Sequence, residues 1–134
     1  MEGRMAVPES EKITINLVHV DLGHIDLLVQ EGFYANRSDF IRTAIRQQLE
    51  RHRDTVRKSV EHHRLDLGLR RYGRPDLEAL RAVGERIHIQ VLGLAVIADD
   101  VSPELALDTI ASIHVLGALH APAAVKAALA GRIR

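Results

Sequence analysis

Cysteine and tryptophan are both absent from this chain of 134 residues, and aromatics of every kind make up only 3% of it. Without cysteine there are no disulfides, no thiolate metal sites and no thiol nucleophiles. That composition fits a reducing compartment. Apolar residues reach 46% with almost no rings among them, so the core is aliphatic. Such a core suits thin layers, helices and subunit interfaces better than a large cavity. No apolar run approaches the roughly 20 residues that cross a bilayer. Met1-Glu2-Gly3-Arg4 is not followed by the apolar stretch of a signal peptide. A cytoplasmic protein with no membrane partner is expected.

Catalytic signatures are missing as well. There is no nucleophile motif, no phosphate-binding glycine loop and no zinc-protease motif. Asp99 and Asp100 are adjacent carboxylates, but they precede a proline-opened helix and read as turn residues. No enzyme activity and no cofactor are expected. The eight histidines invite a metal reading. His62 and His63 are neighbours on a helix, where adjacent side chains diverge by about 100°. His88 and His114 fall on strands, and a repeat described below matches His114 to Gln90 instead of to His88. Solvated or partly buried histidines, with no metal site, are the expectation.

Formal net charge is zero, but the charges are not spread evenly. Residues 37–74 hold 11 Lys/Arg against 5 Asp/Glu, an excess of 6, whereas residues 75–134 hold 5 against 7. A basic segment beside a mildly acidic one implies two parts with different partners.

What is present begins with a short alternating stretch. Along Lys12-Ile13-Thr14-Ile15-Asn16-Leu17 the apolar Ile13, Ile15 and Leu17 share one face, and Lys12, Thr14 and Asn16 share the other. The alternation and the β-branched residues predict a strand. Such a strand needs a mate, and the simplest mate is the same strand of a second copy. Asp21 is read as the N-cap of a first helix with Leu22, Ile25, Leu28 and Val29 on one face. Gly32 is read as its left-handed stop. Asn36 opens a second helix, with Asp39 three residues on in the manner of a capping box. Ile41, Ala44, Ile45 and Leu49 recur at helical spacing, opposite Arg42, Arg46 and Arg51. That pattern continues through Val56 and Val60 to about Arg64.

Residues 11–51 resemble the ribbon-helix-helix DNA-binding domain of the CopG/MetJ/Arc type. The likeness rests on Lys12–Leu17 and on Gly32-Phe33-Tyr34-Ala35-Asn36-Arg37-Ser38-Asp39-Phe40-Ile41-Arg42. It implies an intertwined homodimer in which two strands pair antiparallel and enter the major groove of double-stranded DNA. By resemblance, Lys12, Thr14 and Asn16 read bases. Asn36, Arg37 and Ser38, at the start of the second helix, sit at a phosphate. Ile13, Ile15, Leu17, Phe40, Ile41 and Ile45 form the dimer core. The residue chemistry agrees, since lysine, threonine and asparagine can donate to base acceptors and free amides at a helix start suit an anion. Only one basic residue lies on the strand, with Glu11 beside it, so cooperative or multi-site binding is expected.

The remainder has an internal rhythm. Ile89-Gln90-Val91-Leu92-Gly93 is nearly repeated 24 residues later by Ile113-His114-Val115-Leu116-Gly117, and Leu65-Asp66-Leu67-Gly68-Leu69 is a weaker copy 25 residues earlier. Pro75, Pro103 and Pro122 each open a helical pattern after a copy, with Ser102 as a cap. A strand and a helix every 24–25 residues is the period of leucine-rich-repeat-like solenoids, to which the segment bears a loose resemblance. A small α/β ligand-sensing domain has the same alternation and stays open as an alternative.

The expected fold class is therefore α+β. Residues 1–10 form a flexible arm, 11–52 the ribbon-helix-helix domain, 53–64 a helical extension, and 65–134 a β-α repeat domain for assembly or for a ligand or protein partner. The expected function is a sequence-specific DNA-binding transcriptional regulator, a repressor, acting as a homodimer or higher homo-oligomer. An antitoxin of a toxin–antitoxin pair and a polymerising scaffold are the rival readings.

Overall fold

The computed structural model describes residues 10–134. The expected arm over 1–10 lies, except for Ser10, outside the described residues. The described chain is mixed α/β, with six α-helices and one three-stranded sheet. It forms two units, residues 10–58 and residues 59–134.

In the first unit residues 10–18 are exposed and form neither a helix nor a paired strand within the chain. Helix α1 (His19–Gln30) follows, capped by Val18 in extended backbone. Asp21 is thus not the cap. The Leu22 amide donates to the Val18 carbonyl at 3.2 Å, which closes the helix one turn ahead of a cap at Asp21. Asp21 lies in the first turn instead, where an acid still complements the helix dipole. The other end stops as expected. Gly32 has φ +85, its amide donates to Val29 O, and the Phe33 amide donates to Leu28 O. This pair of bonds needs a left-handed residue between them, and glycine supplies it without strain.

Helix α2 (Arg37–Arg51) starts at Asn36, whose Oδ1 accepts from the Asp39 amide at 2.8 Å. The Asp39 carboxylate accepts in turn from the Ala35 amide at 2.9 Å, one residue beyond the usual reach of a capping box. The long helix expected beyond this point is interrupted at His52 (φ −100°, ψ 10°). It resumes as α3 (Arg53–His63) and ends at Arg64, which takes φ +54. The His62 and His63 rings do not diverge; their side-chain torsions bring them edge to face at 4.9 Å.

The second unit alternates strand and helix: β1 (Asp66–Tyr72), α4 (Arg74–Ala82), β2 (Ile87–Ile97), α5 (Pro103–Thr109), β3 (Ile110–His120) and α6 (Ala123–Ala128). The strands are parallel and neighbours in chain order. Their register aligns Gly68, Gly93 and Gly117 in one row, at the spacing of the sequence repeat. Gly93 and Gly117 have φ +137 and +124, and a Cβ on either would strike the carbonyl oxygen of the glycine before it. The row therefore demands glycine on two counts. Gln90 faces His114, and His88 faces Ser112, with 2.6 Å between Nδ1 and Oγ.

The helices start as their prolines predict, to within a residue. Asp76 accepts from the Gly73 amide ahead of α4, and Ser102 Oγ accepts from the Leu105 amide in α5. Asp100 is a turn residue whose carboxylate accepts from the Arg74 amide at 3.1 Å. One face of the sheet carries the core. Ile89, Val91 and Ile97 of β2 and Ile113 of β3 pack with Leu77 of α4, Leu105 of α5 and Val125 of α6. Arg132 fastens the chain end by donating from Nη1 to the carbonyls of Leu107 and Ile110, at 2.7 and 2.8 Å.

Candidate nucleic-acid interface

The first unit has an unusual deficit: of all its apolar side chains only Ile25 is buried. Helix α2 buries none. Ile13 and Ile15 are 70% and 56% exposed, and Ile45 is half exposed. These side chains are not scattered. Ile15 and Leu17 from the extended segment, Asp21, His24 and Ile25 from α1, and Phe40, Ile41, Ala44 and Ile45 from α2 line one cavity of about 400 Å³. Five of the expected dimer-core residues thus meet at one apolar hollow, while Ile13 lies outside its lining. Lys12, Thr14 and Asn16 are also outside the lining and exposed.

The turn between the helices positions the second group of candidates. Asn36, Arg37 and Ser38 are all exposed at the start of α2. The Asn36 carbonyl is committed to the cap, and the Asp39 amide with it. The Phe40 amide returns to the Asn36 carbonyl of the backbone. That leaves the amides of Arg37 and Ser38 as the donors of the first turn that an anion can use. Tyr34 and Phe40 brace the turn edge to face, with ring centres 5.0 Å apart.

Arg37 is held by a partner that sequence reasoning missed. Its Nε and Nη2 fork onto the two carboxylate oxygens of Asp26, each at 2.8 Å, joining α1 to α2. The hydrogen bonds from Arg37 hold the Asp26 carboxyl below the usual carboxylate range, and Asp26 raises the guanidinium in return. Both side chains remain about half exposed, so the pair orients Arg37 without sealing it from a phosphate. The contact crosses a turn, so no helical spacing announces it. The only signal was an acid on the polar side of α1. Arg42, Arg46 and Arg51 are exposed along α2 and extend the positive surface from the helix start.

Chemically, the unit offers a polar edge, a helix start with two donor amides and a positioned guanidinium, and an apolar hollow left open by the described residues of the unit. A family model described as "Ribbon-Helix-Helix transcriptional regulator family" matches residues 8–126. No curated protein and no solved structure matches the chain. The family match runs from residue 8 into α6, so it covers most of the second unit as well as the first.

Proposed function

Because this chain belongs to the ribbon-helix-helix transcriptional regulator family, we propose that it is a sequence-specific DNA-binding repressor that acts as a homodimer through an intertwined two-stranded ribbon. Residues 12–17 of two copies pair antiparallel. Ile13, Ile15 and Leu17 then turn to the helices, and Lys12, Thr14 and Asn16 point to base edges in the major groove. A ribbon is thin enough to enter that groove, and Asn16 can pair an adenine bidentately. Arg37, Ser38 and the first amides of α2 hold a backbone phosphate, with Asn36 fixing the helix start.

The observation that carries this reading is the missing core of the first unit. Forty-nine residues with one buried apolar side chain cannot offset the entropy of ordering them. A second copy laid over the hollow lined by Ile15, Leu17, Phe40, Ile41 and Ile45 supplies what is missing, as in dimers that have no stable folded monomer.

We read the second unit as a short solenoid-like repeat that serves assembly, letting neighbouring dimers occupy repeated half-sites together. The glycine row at repeat spacing supports this reading. An antitoxin tail is ordinarily disordered until its toxin binds, and the closed core of this unit argues against that role.

The test replaces Lys12, Thr14 and Asn16 by alanine and measures binding, by fluorescence anisotropy at fixed salt, to DNA selected by the parent protein from a random library. Loss of sequence preference with an unchanged mass in solution is expected. Undiminished specific binding by a variant of the same mass removes the strand as the reader.

A further inference from the structure

The second unit closes a core on one face of its sheet only. Alternation along the paired strands puts Leu67 and Leu69 of β1, Leu92 and Leu94 of β2, and Leu116 and Ala118 of β3 on the opposite face. None of the six belongs to the core beneath α4, α5 and α6. Register stacks them in two rows across the sheet, Leu67–Leu92–Leu116 and Leu69–Leu94–Ala118. Leu67, Leu69 and Leu116 are 65%, 47% and 50% exposed. An all-parallel sheet whose second face is left uncovered by the helices of its own unit is unusual, since such sheets are found with both faces covered.

We infer that this leucine face packs against the same face of a second copy of the chain. This deepens the assembly role proposed above and rests on that reading for its tether. Two features of the face select the occupant. The first is charge. Between the polar row of Gln90 and His114 at one end and the row of Arg71, Val96 and His120 at the other, every side chain is aliphatic, and no carboxylate lies in these rows. Such a surface complements another of its own kind and offers nothing to a charged peptide. Laid antiparallel, two copies set the Arg71 end of each against the Gln90 and His114 end of the other and keep the two arginines apart.

The second feature is size. Three strands about 4.8 Å apart, and some 20 Å of their length, give a footprint of roughly 300 Å² per copy. A stable complex between free partners buries about 800 Å² on each side. A free partner would therefore hold this face weakly. A copy of the same chain does not face that limit. A ribbon dimer carries two such faces, so once one contact forms the next is intramolecular, at effective concentrations near the millimolar range. Two small leucine faces, closed together between a pair of dimers, are sufficient where one alone is not.

The absence of cysteine makes the test clean. Leu94→Cys places one thiol on the middle strand of the face. Val83→Cys places one at the exposed end of α4, away from it. In the full-length protein under mild oxidation, Leu94→Cys should cross-link two chains at least about tenfold faster than Val83→Cys. Adding Leu116→Arg to Leu94→Cys should abolish the difference while circular dichroism shows the unit still folded. Equal rates for the two single-cysteine proteins, or an undiminished cross-link with Leu116→Arg present, overturn the inference. The ribbon is scored separately by the mass of Ile15→Asp. An unchanged mass there counts against the ribbon, while the cysteine rates report on the sheet face alone.

Discussion

The two units of this chain solve the problem of burial in opposite ways. Residues 59–134 hold fifteen buried apolar side chains, and residues 10–58 hold one. The second unit is built from strands and helices that cover one another in order along the chain. The first is built from two helices and an extended segment that share a hollow and leave it open. A region with alternating and helical apolar patterns but no core of its own calls for a partner. In the reading proposed above that partner is a second copy, which leaves the polar side of the same segment for DNA.

The sharpest way to break this contrast is Ile45→Asp. A charge in the apolar hollow is left without compensation when a second chain closes over it. The variant should become monomeric, lose most of the helical signal of α1 and α2, and bind DNA at least about a hundredfold more weakly. Its second unit should stay folded, melting somewhat below the parent because the contact across the leucine face goes with the dimer. Circular dichroism, sedimentation and anisotropy together check this. A dimeric Ile45→Asp protein would mean that the hollow is not the interface.

Gly117→Ala attacks the other side of the comparison. The new methyl meets the Gly93 carbonyl and a backbone angle that alanine resists. A loss of roughly 3–5 kcal/mol is expected from strain and displaced strand pairing. Thermal denaturation should show it in the second unit, with the mass of the dimer retained.

Asn16→Ala is a smaller change. Loss of one bidentate base contact costs about 1–3 kcal/mol of discrimination, so preference at one base position should relax by about tenfold or more while stability is unchanged. Selection from a random library, compared with the parent, reads it.

Asp26→Asn has the smallest expected effect. Arg37 keeps the Asp26 carboxyl below its ordinary range. The contribution is thus present above the unfolded carboxylate value and is lost as pH falls through the depressed folded value. The parent should lose a little stability on acidification below about pH 4 that Asp26→Asn has already lost. At neutral pH the variant should also bind phosphate-rich DNA slightly less well, because Arg37 is no longer aimed.

Much of this was legible in the sequence where the signal is local. The cap at Asn36, the stop at Gly32, the proline-opened helices and the 24–25-residue glycine row all follow from residues within a turn or a repeat of one another. α1 starts a turn earlier than its sequence indicates, because Val18 has no capping side chain to mark the start and Asp21, a turn on, does. The break at His52 has no glycine or proline to betray it. The Asp26–Arg37 fork joins two helices across a turn, where spacing in sequence carries no information. The apolar face of the sheet was hidden for a related reason. The alternation of leucines was visible, but which face the helices would take depends on the register of three strands.

The most direct measurement is an isotope-filtered nuclear Overhauser experiment on a protein assembled from equal parts labelled and unlabelled chains. Cross-chain backbone contacts running antiparallel along Lys12–Leu17 are expected, together with contacts from Ile15 of one chain to Phe40 and Ile45 of the other. Contacts from this segment that stay wholly within one chain would contradict the paired ribbon.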